Sequence, residues 1–130
     1  MNQKKHIKDY NYKAIGEIGI DLFHEKKYFT QQVIAFEQQI KLAIEYDLPI
    51  VIHSRDSFDE IFKVLEKFKS EKLRGIFHCF TGNLDQANKI IDLNFYLGIG
   101  GVVTFKKGKI SEFLNKVPIE KIVLETDSPY

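Results

Sequence analysis

The sequence has few of the features that identify secreted or membrane proteins. It contains a single cysteine, Cys79, in 130 residues, which rules out an internal disulfide framework and is typical of a reducing compartment. No apolar run approaches the roughly 20 residues of a membrane-spanning helix, and the polar N-terminus lacks the apolar core of a signal peptide. We therefore expect a cytoplasmic protein without a membrane partner.

The chain also lacks an excess of charge of either sign. Its 19 Lys and Arg residues balance 18 Asp and Glu residues, so the overall charge favours neither a nucleic acid nor another partner. Residues 1–13 are polar and show no periodicity, which indicates a solvated lead-in, with a nucleic-acid-binding tail as the alternative. The 44% apolar content is enough for a globular core, which we place in one domain at residues 14–130.

Two glycine motifs of nucleotide-binding proteins are missing. Gly98, Gly100 and Gly101 are not followed by the long helix that a dinucleotide fingerprint requires. Gly108 and Lys109 lack both the upstream glycine and the following Ser or Thr of a P-loop. We therefore expect no nucleotide cofactor.

The chain does contain a regular alternation of apolar strands and amphipathic helices. Connections between the strands are too long for hairpins, so the order predicts right-handed β-α-β units and a parallel sheet, either doubly wound or a (β/α)₈ barrel. The predicted strands are residues 14–21, 49–53, 75–80, 95–103 and 122–127. The predicted helices are residues 28–46, one opened by a capping box of Ser57 and Glu60, one opened by Asn83 and Gln86, and a short one around residues 110–115.

Four of the strands carry one ionisable residue of the metal-ligand type. Glu17 lies in the run AIGEIGID, which is typical of a strand buried on both faces, where an unpaired carboxylate is costly. His53, His78 and Asp127 lie at or near the carboxyl ends of later strands, where parallel sheets gather functional residues. Two carboxylates and two imidazoles at one edge predict a site for a divalent cation that activates water.

Each of these four residues also has a purely structural alternative, which is weakest for Glu17 because its neighbours are all apolar or glycine. His53 and His78 are compatible with core histidines, and Asp127 with capping of the turn that follows it.

Cys79 is adjacent to His78, so period-two alternation places it on the opposite face. We therefore expect Cys79 to pack against a helix, with metal ligation or reactivity as the alternative.

Basic residues follow two strands at the same end of the sheet. Arg55 is able to hold a phosphate through two hydrogen bonds, or to pair with a nearby acid. Lys106, Lys107 and Lys109 follow the fourth strand, where they form either a contact for a polyanion or a solvated loop.

Five segments together resemble the TatD family of metal-dependent deoxyribonucleases. They occur in the family's order, with family-like spacing, and they are GEIGID, LPIVIHSRD, HCFTG, GIGGVVTFK and ETDSPY. The resemblance implies a (β/α)₈ barrel of the amidohydrolase superfamily. It also implies hydrolysis of DNA phosphodiester bonds, at 3′ ends or in single strands, with one or two Mg²⁺, Mn²⁺ or Zn²⁺ ions per site.

The resemblance further implies a role for each of the four candidate ligands. Glu17 matches the metal-bridging glutamate of the family. His53 and His78 match the two histidines that hold one metal. Asp127 matches the aspartate that binds the other metal and accepts the proton of the attacking water.

Other residues match positions that orient ligands or contact substrate. Glu125 and Ser128 flank Asp127 in the ETDSPY motif, and Arg55 belongs to the LPIVIHSRD motif. Lys106 and His24 are further candidate substrate contacts, with an exposed surface residue as the alternative for His24.

The sequence departs from the family because it contains no His-x-His pair, which TatD-like proteins carry at the end of the first strand. The motifs match the third to seventh strands, so we expect about five parallel strands of a partial (β/α)₈ barrel. Its two open edges predict marginal stability or self-association, and two-metal catalysis should be impaired. The alternatives are a related hydrolase of small amides or esters, and a truncated remnant without turnover.

Overall fold

The computed structural model describes residues 13–22, 27–69, 72–100 and 112–125. Within them, five strands form one sheet in chain order, and every neighbouring pair is parallel. The predicted parallel α/β architecture is therefore confirmed. The elements are β1 (Ile15–Asp21), α1 (Phe29–Glu45), β2 (Ile50–Arg55), α2 (Phe58–Glu66), β3 (Gly75–Phe77), α3 (Leu84–Asp92), β4 (Phe95–Ile99), two 3₁₀ turns (Leu114–Lys116 and Ile119–Lys121) and β5 (Ile122–Leu124).

One face of the sheet packs against the helices and forms the core. Alternate strand residues point into this core because side chains on a strand alternate between its faces. The largest fully buried side chains are Phe36, Phe77, Phe80, Phe95, Ile20, Ile40, Ile50, Ile52, Ile61, Leu65, Ile90 and Leu97. Among the described helices, none combines the length and the apolar composition needed to cross a bilayer.

The opposite face of the sheet, called the open face below, is only partly covered by the described residues. Val51 and Ile76 are half-buried, Tyr96 is 38% exposed, and a groove of about 400 Å³ runs along them. The prediction that the strand of Glu17 is buried on both faces is therefore wrong, since the Glu17 side chain is 46% exposed. A five-stranded arc packs its helices on one side, and its concave side corresponds to the filled interior of a closed barrel.

The two predicted capping boxes have different outcomes. At α3, the Asn83 side chain accepts from the Gln86 backbone N–H at 2.8 Å, and the Gln86 side chain accepts from the Asn83 N–H at 2.9 Å. At α2, Ser57 does precede the helix but makes no side-chain cap. Its buried hydroxyl instead donates to the carbonyl oxygen of Ile20 in β1, because tertiary packing supplies a closer partner than the helix end.

Some predicted boundaries differ from the observed ones. β3 ends at Phe77 rather than at residue 80, and β2 continues to Arg55 rather than ending at residue 53. The described part of the predicted short helix near residue 115 is a 3₁₀ turn. The predicted lead-in up to residue 12, and the predicted ends of the fourth and fifth strands, lie outside the described residues.

Candidate metal centre

Three of the four predicted ligands meet on the open face, with Glu17 in the first half of β1, His53 in β2 and His78 directly after β3. Glu17 Oε2 lies 3.1 Å from His78 Nε2, and Glu17 Oε1 lies 4.0 Å from His53 Nδ1. Glu17 therefore stands between two imidazoles that come from separate strands. Asp127, the fourth predicted ligand, lies outside the described residues.

Glu17 reaches the histidines because the pairing of β1 with β2 contains an irregularity. Gly16 pairs with Val51 and Ile18 pairs with Ile52, so Glu17 is an extra residue without a partner in the register. In a regular ladder Glu17 would pair with Ile52 and face the core. The extra residue re-aims its carboxylate toward the open face, and Ile18 returns to the core.

Gly19 allows β1 to pass close to the backbone of His53. Its φ is +142°, and a Cβ at this position would lie 2.0 Å from the His53 carbonyl oxygen. Only glycine avoids that clash. The glycine therefore lets the edge strand approach β2 at the residue that carries the candidate ligand.

Each histidine uses its second ring nitrogen to contact another carboxylate. His53 Nε2 lies 3.2 Å from Asp21 Oδ2, and His78 Nδ1 lies 3.0 Å from Glu125 Oε1. In metal sites, a carboxylate on the far nitrogen fixes the orientation of the imidazole and raises its basicity. Here the two carboxylates leave His53 Nδ1 and His78 Nε2 directed toward Glu17.

Glu125 is held in this position by contacts from β4 and from the turn after β3. Its backbone N–H donates to the Ile99 carbonyl at 3.0 Å, and its side chain accepts from the backbone N–H of Cys79. A Cβ on Gly98 would lie 2.4 Å from Glu125 Oε1, so glycine makes room for the carboxylate. This arrangement agrees with the orienting role that the family resemblance implies for Glu125.

Asp21 contacts a candidate ligand, His53, but is not among the site residues predicted from the sequence. It is the last residue of the GEIGID motif and two positions after Gly19, which pairs with His53 in the register. Period two therefore places Asp21 on the same face as Gly19, beside the histidine. This spacing between Gly19 and Asp21 is the feature of the sequence that could have identified Asp21.

Cys79 does not lie where alternation predicts. β3 ends at Phe77, and Cys79 adopts a left-handed φ of 49° in the turn that follows. Its Sγ lies 3.4 Å from His78 Nε2, and the residue is half-buried. The prediction that Cys79 packs against a helix is therefore wrong, because period-two alternation does not extend beyond the end of a strand.

The donor set fits a divalent cation. Imidazole nitrogen and carboxylate oxygen are ordinary ligands of Zn²⁺, and both bind at about 2.1 Å. Two such ligands on a tetrahedral ion lie roughly 3.4 Å apart, and the observed distance from Glu17 Oε2 to His78 Nε2 is 3.1 Å. Glu17 and His78 thus place two ligand atoms close enough to share an ion, and His53 Nδ1 lies 4.0 Å from the same carboxylate.

Arg55 is the one predicted substrate contact that the structure describes. It ends β2 and lines a cleft of about 610 Å³ between the loops that follow β2 and β3. Ser54, Thr81 and Gly82 also line this cleft. His53 and His78 precede the same two loops, but neither histidine lines the cleft. Lys106, Ser128 and His24 lie outside the described residues.

Sequence comparison supports a single family. The model described as TatD related DNase matches residues 2–130. The uncharacterized metal-dependent hydrolase YabD of Bacillus subtilis is 41% identical over 118 residues, which are 90% of this chain and 46% of that protein. The uncharacterized metal-dependent hydrolase YjjV of Escherichia coli is 37% identical over 117 residues, 89% of this chain and 45% of that protein. The chain thus spans about half the length of these curated relatives.

Comparison with solved structures gives the same result. The crystal structure of YJJV, a TatD homolog from Escherichia coli, matches with a TM-score of 0.88 at 32% identity, covering 97% of this chain and 49% of that chain. A TatD family hydrolase from Entamoeba histolytica matches with a TM-score of 0.76 at 26% identity, covering 98% of this chain and 42% of that chain. With its five parallel strands, its cluster of histidines and carboxylates, and a family match over nearly its whole length, the chain belongs to the TatD-related DNase family.

Proposed function

We propose that this chain provides the metal-binding strands of a hydrolase that cleaves DNA phosphodiester bonds with divalent cations, acting on 3′ ends or single strands. The observation that carries the proposal is the pairing of both histidines. His53 and His78 each contact a carboxylate through one ring nitrogen and direct the other toward Glu17. This pattern is typical of histidines that bind metal. A histidine that only packs in a core does not need two carboxylates beside its ring.

Glu17, His53 and His78, together with Asp127, would hold one or two ions of Zn²⁺, Mn²⁺ or Mg²⁺. When bound, the cation lowers the pKa of a water molecule and neutralises the charge that develops on phosphate oxygen. The two imidazoles favour Zn²⁺ over Mg²⁺ among these ions. Asp21 and Glu125 would hold the imidazole rings in place, and Asp127 would accept the proton of the attacking water.

Substrate contacts are proposed at the same end of the sheet. Arg55 lies two residues after His53 at the end of β2, where its guanidinium would donate two hydrogen bonds to a phosphate. Lys106, Ser128 and His24 are proposed as further contacts from the sequence alone. These groups would position a DNA strand across the carboxyl ends of the strands, where barrels of this type bind substrate.

Domain organisation and association are proposals as well. We place the hydrolase domain at residues 14–130, after a polar lead-in, and the single cysteine supports a cytoplasmic location. β1 and β5 are the edges of the described sheet, and Leu124 on β5 is 82% exposed. An unpaired edge with exposed apolar residues supports self-association.

The proposal is tested by two measurements on the 130-residue chain. Calorimetric titration reports whether Zn²⁺ or Mn²⁺ binds, and release of nucleotides from 3′-labelled single-stranded DNA reports hydrolysis. We expect both to be lost in Glu17→Gln and after treatment with EDTA. Because the sequence has no His-x-His pair, we expect turnover well below that of relatives that carry one.

Glu37→Gln is the matched control, since it makes the same chemical change on α1, where Glu37 contacts Lys67 at 3.3 Å. Hydrolysis that survives Glu17→Gln would refute the proposed site. Cleavage of small esters or amides instead of DNA would favour the related hydrolase. Metal binding without turnover of any substrate would refute the enzymatic part and favour a chain that only binds metal.

A further inference from the structure

We propose that the thiol of Cys79 is an additional ligand of this metal centre and makes it selective for thiophilic divalent cations such as Zn²⁺, Co²⁺ and Cd²⁺. The inference rests on the proposed function, because it adds a ligand to the proposed centre. It differs from the set implied by the family resemblance, which contains only histidine and carboxylate ligands.

The first argument is that donors of three kinds lie around the imidazole of His78. Cys79 Sγ lies 3.4 Å from His78 Nε2, and Glu17 Oε2 lies 3.1 Å from the same nitrogen. The ligand atoms of His78, Cys79 and Glu125 also lie within 4.8 Å of one another. Sulfur, nitrogen and oxygen donors are therefore gathered around a single imidazole.

The second argument is the distance between sulfur and nitrogen. Zinc binds thiolate sulfur at about 2.3 Å and imidazole nitrogen at about 2.1 Å, so on a tetrahedral ion the two ligand atoms lie roughly 3.6 Å apart. The observed distance from Cys79 Sγ to His78 Nε2 is 3.4 Å. Both atoms are thus able to bind one ion with little movement.

The third argument is that the backbone on both sides of Cys79 is fixed. The His78 N–H donates to the Ile52 carbonyl at 2.9 Å, and the Phe80 N–H donates to the Gly98 carbonyl at 2.8 Å. The Cys79 N–H itself donates to the Glu125 carboxylate. Contacts to β2, to β4 and to Glu125 therefore hold the turn that brings the thiol beside the imidazole.

The chemistry of the thiol determines which ions it would favour. Thiolate is a soft ligand that binds Zn²⁺ and its thiophilic analogues but contributes little to Mg²⁺ binding. As the sulfur–metal bond forms, the S–H bond breaks and its proton is released to solvent. The step involves no change of oxidation state.

A cysteine nucleophile is the competing interpretation of the same contacts. His78 lies between Glu125 at 3.0 Å and the Cys79 thiol at 3.4 Å, which is also how an imidazole base activates a thiol. A nucleophile needs no metal, so its reactivity would not depend on added cation. The two interpretations are separated by experiment.

The experiment is a titration of the 130-residue chain with Co²⁺, followed by absorption spectroscopy. Cys79 is the only cysteine in the sequence, so an intense thiolate-to-cobalt band in the near ultraviolet has a single source. We expect this band in the parent chain and in Glu37→Gln, and its loss in Cys79→Ser and in His78→Asn. We also expect Cys79→Ser to weaken Zn²⁺ binding by a factor on the order of 10 to 100, comparable to the loss of a supporting residue in other metal sites, with Mg²⁺ binding unchanged.

Protection of the thiol provides an independent measurement. Zn²⁺ at saturation should slow the alkylation of Cys79 by iodoacetamide at least tenfold, and circular dichroism checks that each variant folds. Weak visible cobalt bands without the thiolate band would overturn the inference and leave the metal centre intact. A failure of Co²⁺ to bind at all would overturn both proposals. Rapid alkylation unaffected by Zn²⁺ would overturn the metal assignment in favour of a nucleophile.

Discussion

The two faces of the sheet differ although they are built from adjacent residues of the same strands. On the face that contacts the helices, Ile20, Ile52 and Phe77 are at most 1% exposed. On the open face, the side chains of Glu17 and His53 remain 46% and 40% exposed. Alternation along a strand separates the two environments by a single residue.

This difference indicates that most of the stability and the proposed metal site reside on different faces. The core face holds isoleucine and phenylalanine side chains with almost no access to solvent, which supply most of the hydrophobic free energy. The open face holds the histidines and carboxylates of the proposed metal site, whose partial exposure would permit entry of an ion and a substrate. Substitutions on the two faces should therefore have separable effects.

The largest expected effect is on the core face. Phe77 packs against the rings of Phe58, Phe62 and Phe95 at centroid distances of 6.2, 5.9 and 5.8 Å. Truncation of Phe77 to alanine removes these contacts and leaves a cavity, so we expect Phe77→Ala to lower the free energy of unfolding by about 3–5 kcal/mol. Urea denaturation followed by circular dichroism measures this change.

Tyr96→Ala is the control on the open face. Tyr96 is 38% exposed and its ring contacts Lys121 Nζ at 4.8 Å, so its truncation should cost about 1 kcal/mol or less. Equal losses in Phe77→Ala and Tyr96→Ala would contradict the assignment of stability to one face.

A smaller effect is expected where a carboxylate supports a ligand on the open face. Asp21→Asn replaces the carboxylate that contacts His53 Nε2 with a neutral amide of the same shape. We expect the affinity for Zn²⁺ to fall about 10–100-fold, while the free energy of unfolding changes by about 0.5 kcal/mol or less. Calorimetric titration and urea denaturation measure the two quantities.

Asp92→Asn, at the end of α3, makes the same chemical change away from the site and should alter neither quantity. A large loss of stability without a loss of affinity in Asp21→Asn would show that Asp21 is structural.

The smallest effect is expected on the outer surface of the helices. The Lys89 ammonium beside Glu66 lowers the pKa of that carboxyl, and both side chains are 40% exposed. Because the pKa of Glu66 is lower in the folded than in the unfolded state, the pair stabilises the protein at pH values above the unfolded-state pKa. This stabilisation is lost as the pH falls through the folded-state pKa. Solvent screening keeps the contribution small.

Lys89→Ala should therefore lower the thermal unfolding midpoint slightly at neutral pH and not at all in acid. Thermal scans of the parent chain and the variant at both pH values provide the measurement. A difference that persists unchanged in acid would show that Lys89 stabilises through packing rather than charge.

Local sequence pattern predicted the parts of the site that depend on strand position. Glu17, His53 and His78 were identified because each interrupts an apolar strand near the edge where parallel sheets gather functional groups. Their convergence in the structure follows from strand order and register, both of which the alternation of strands and helices indicated. Asp127 lies outside the described residues, so its place beside these three ligands stays a prediction.

The remaining features depend on contacts between residues far apart in the chain. Asp21 contacts His53 across 32 residues, and Cys79 contacts Glu125 across 46 residues. Because β3 ends at Phe77, Cys79 does not follow the alternation of side chains along that strand. The irregular register at Glu17 turns its carboxylate from the core to the open face. Neither the end of β3 nor the irregular register can be predicted from the periodicity of the sequence, since each depends on how neighbouring strands pair.

The sequence by itself thus determined the parallel α/β class, the core face and the identity of three candidate ligands, because burial and strand formation follow from local periodicity. Only the tertiary structure decided how Glu17 is aimed, which carboxylates orient the two imidazoles, and that Cys79 lies beside His78. Those features depend on register and turn geometry, which are set by the packing of one strand against another.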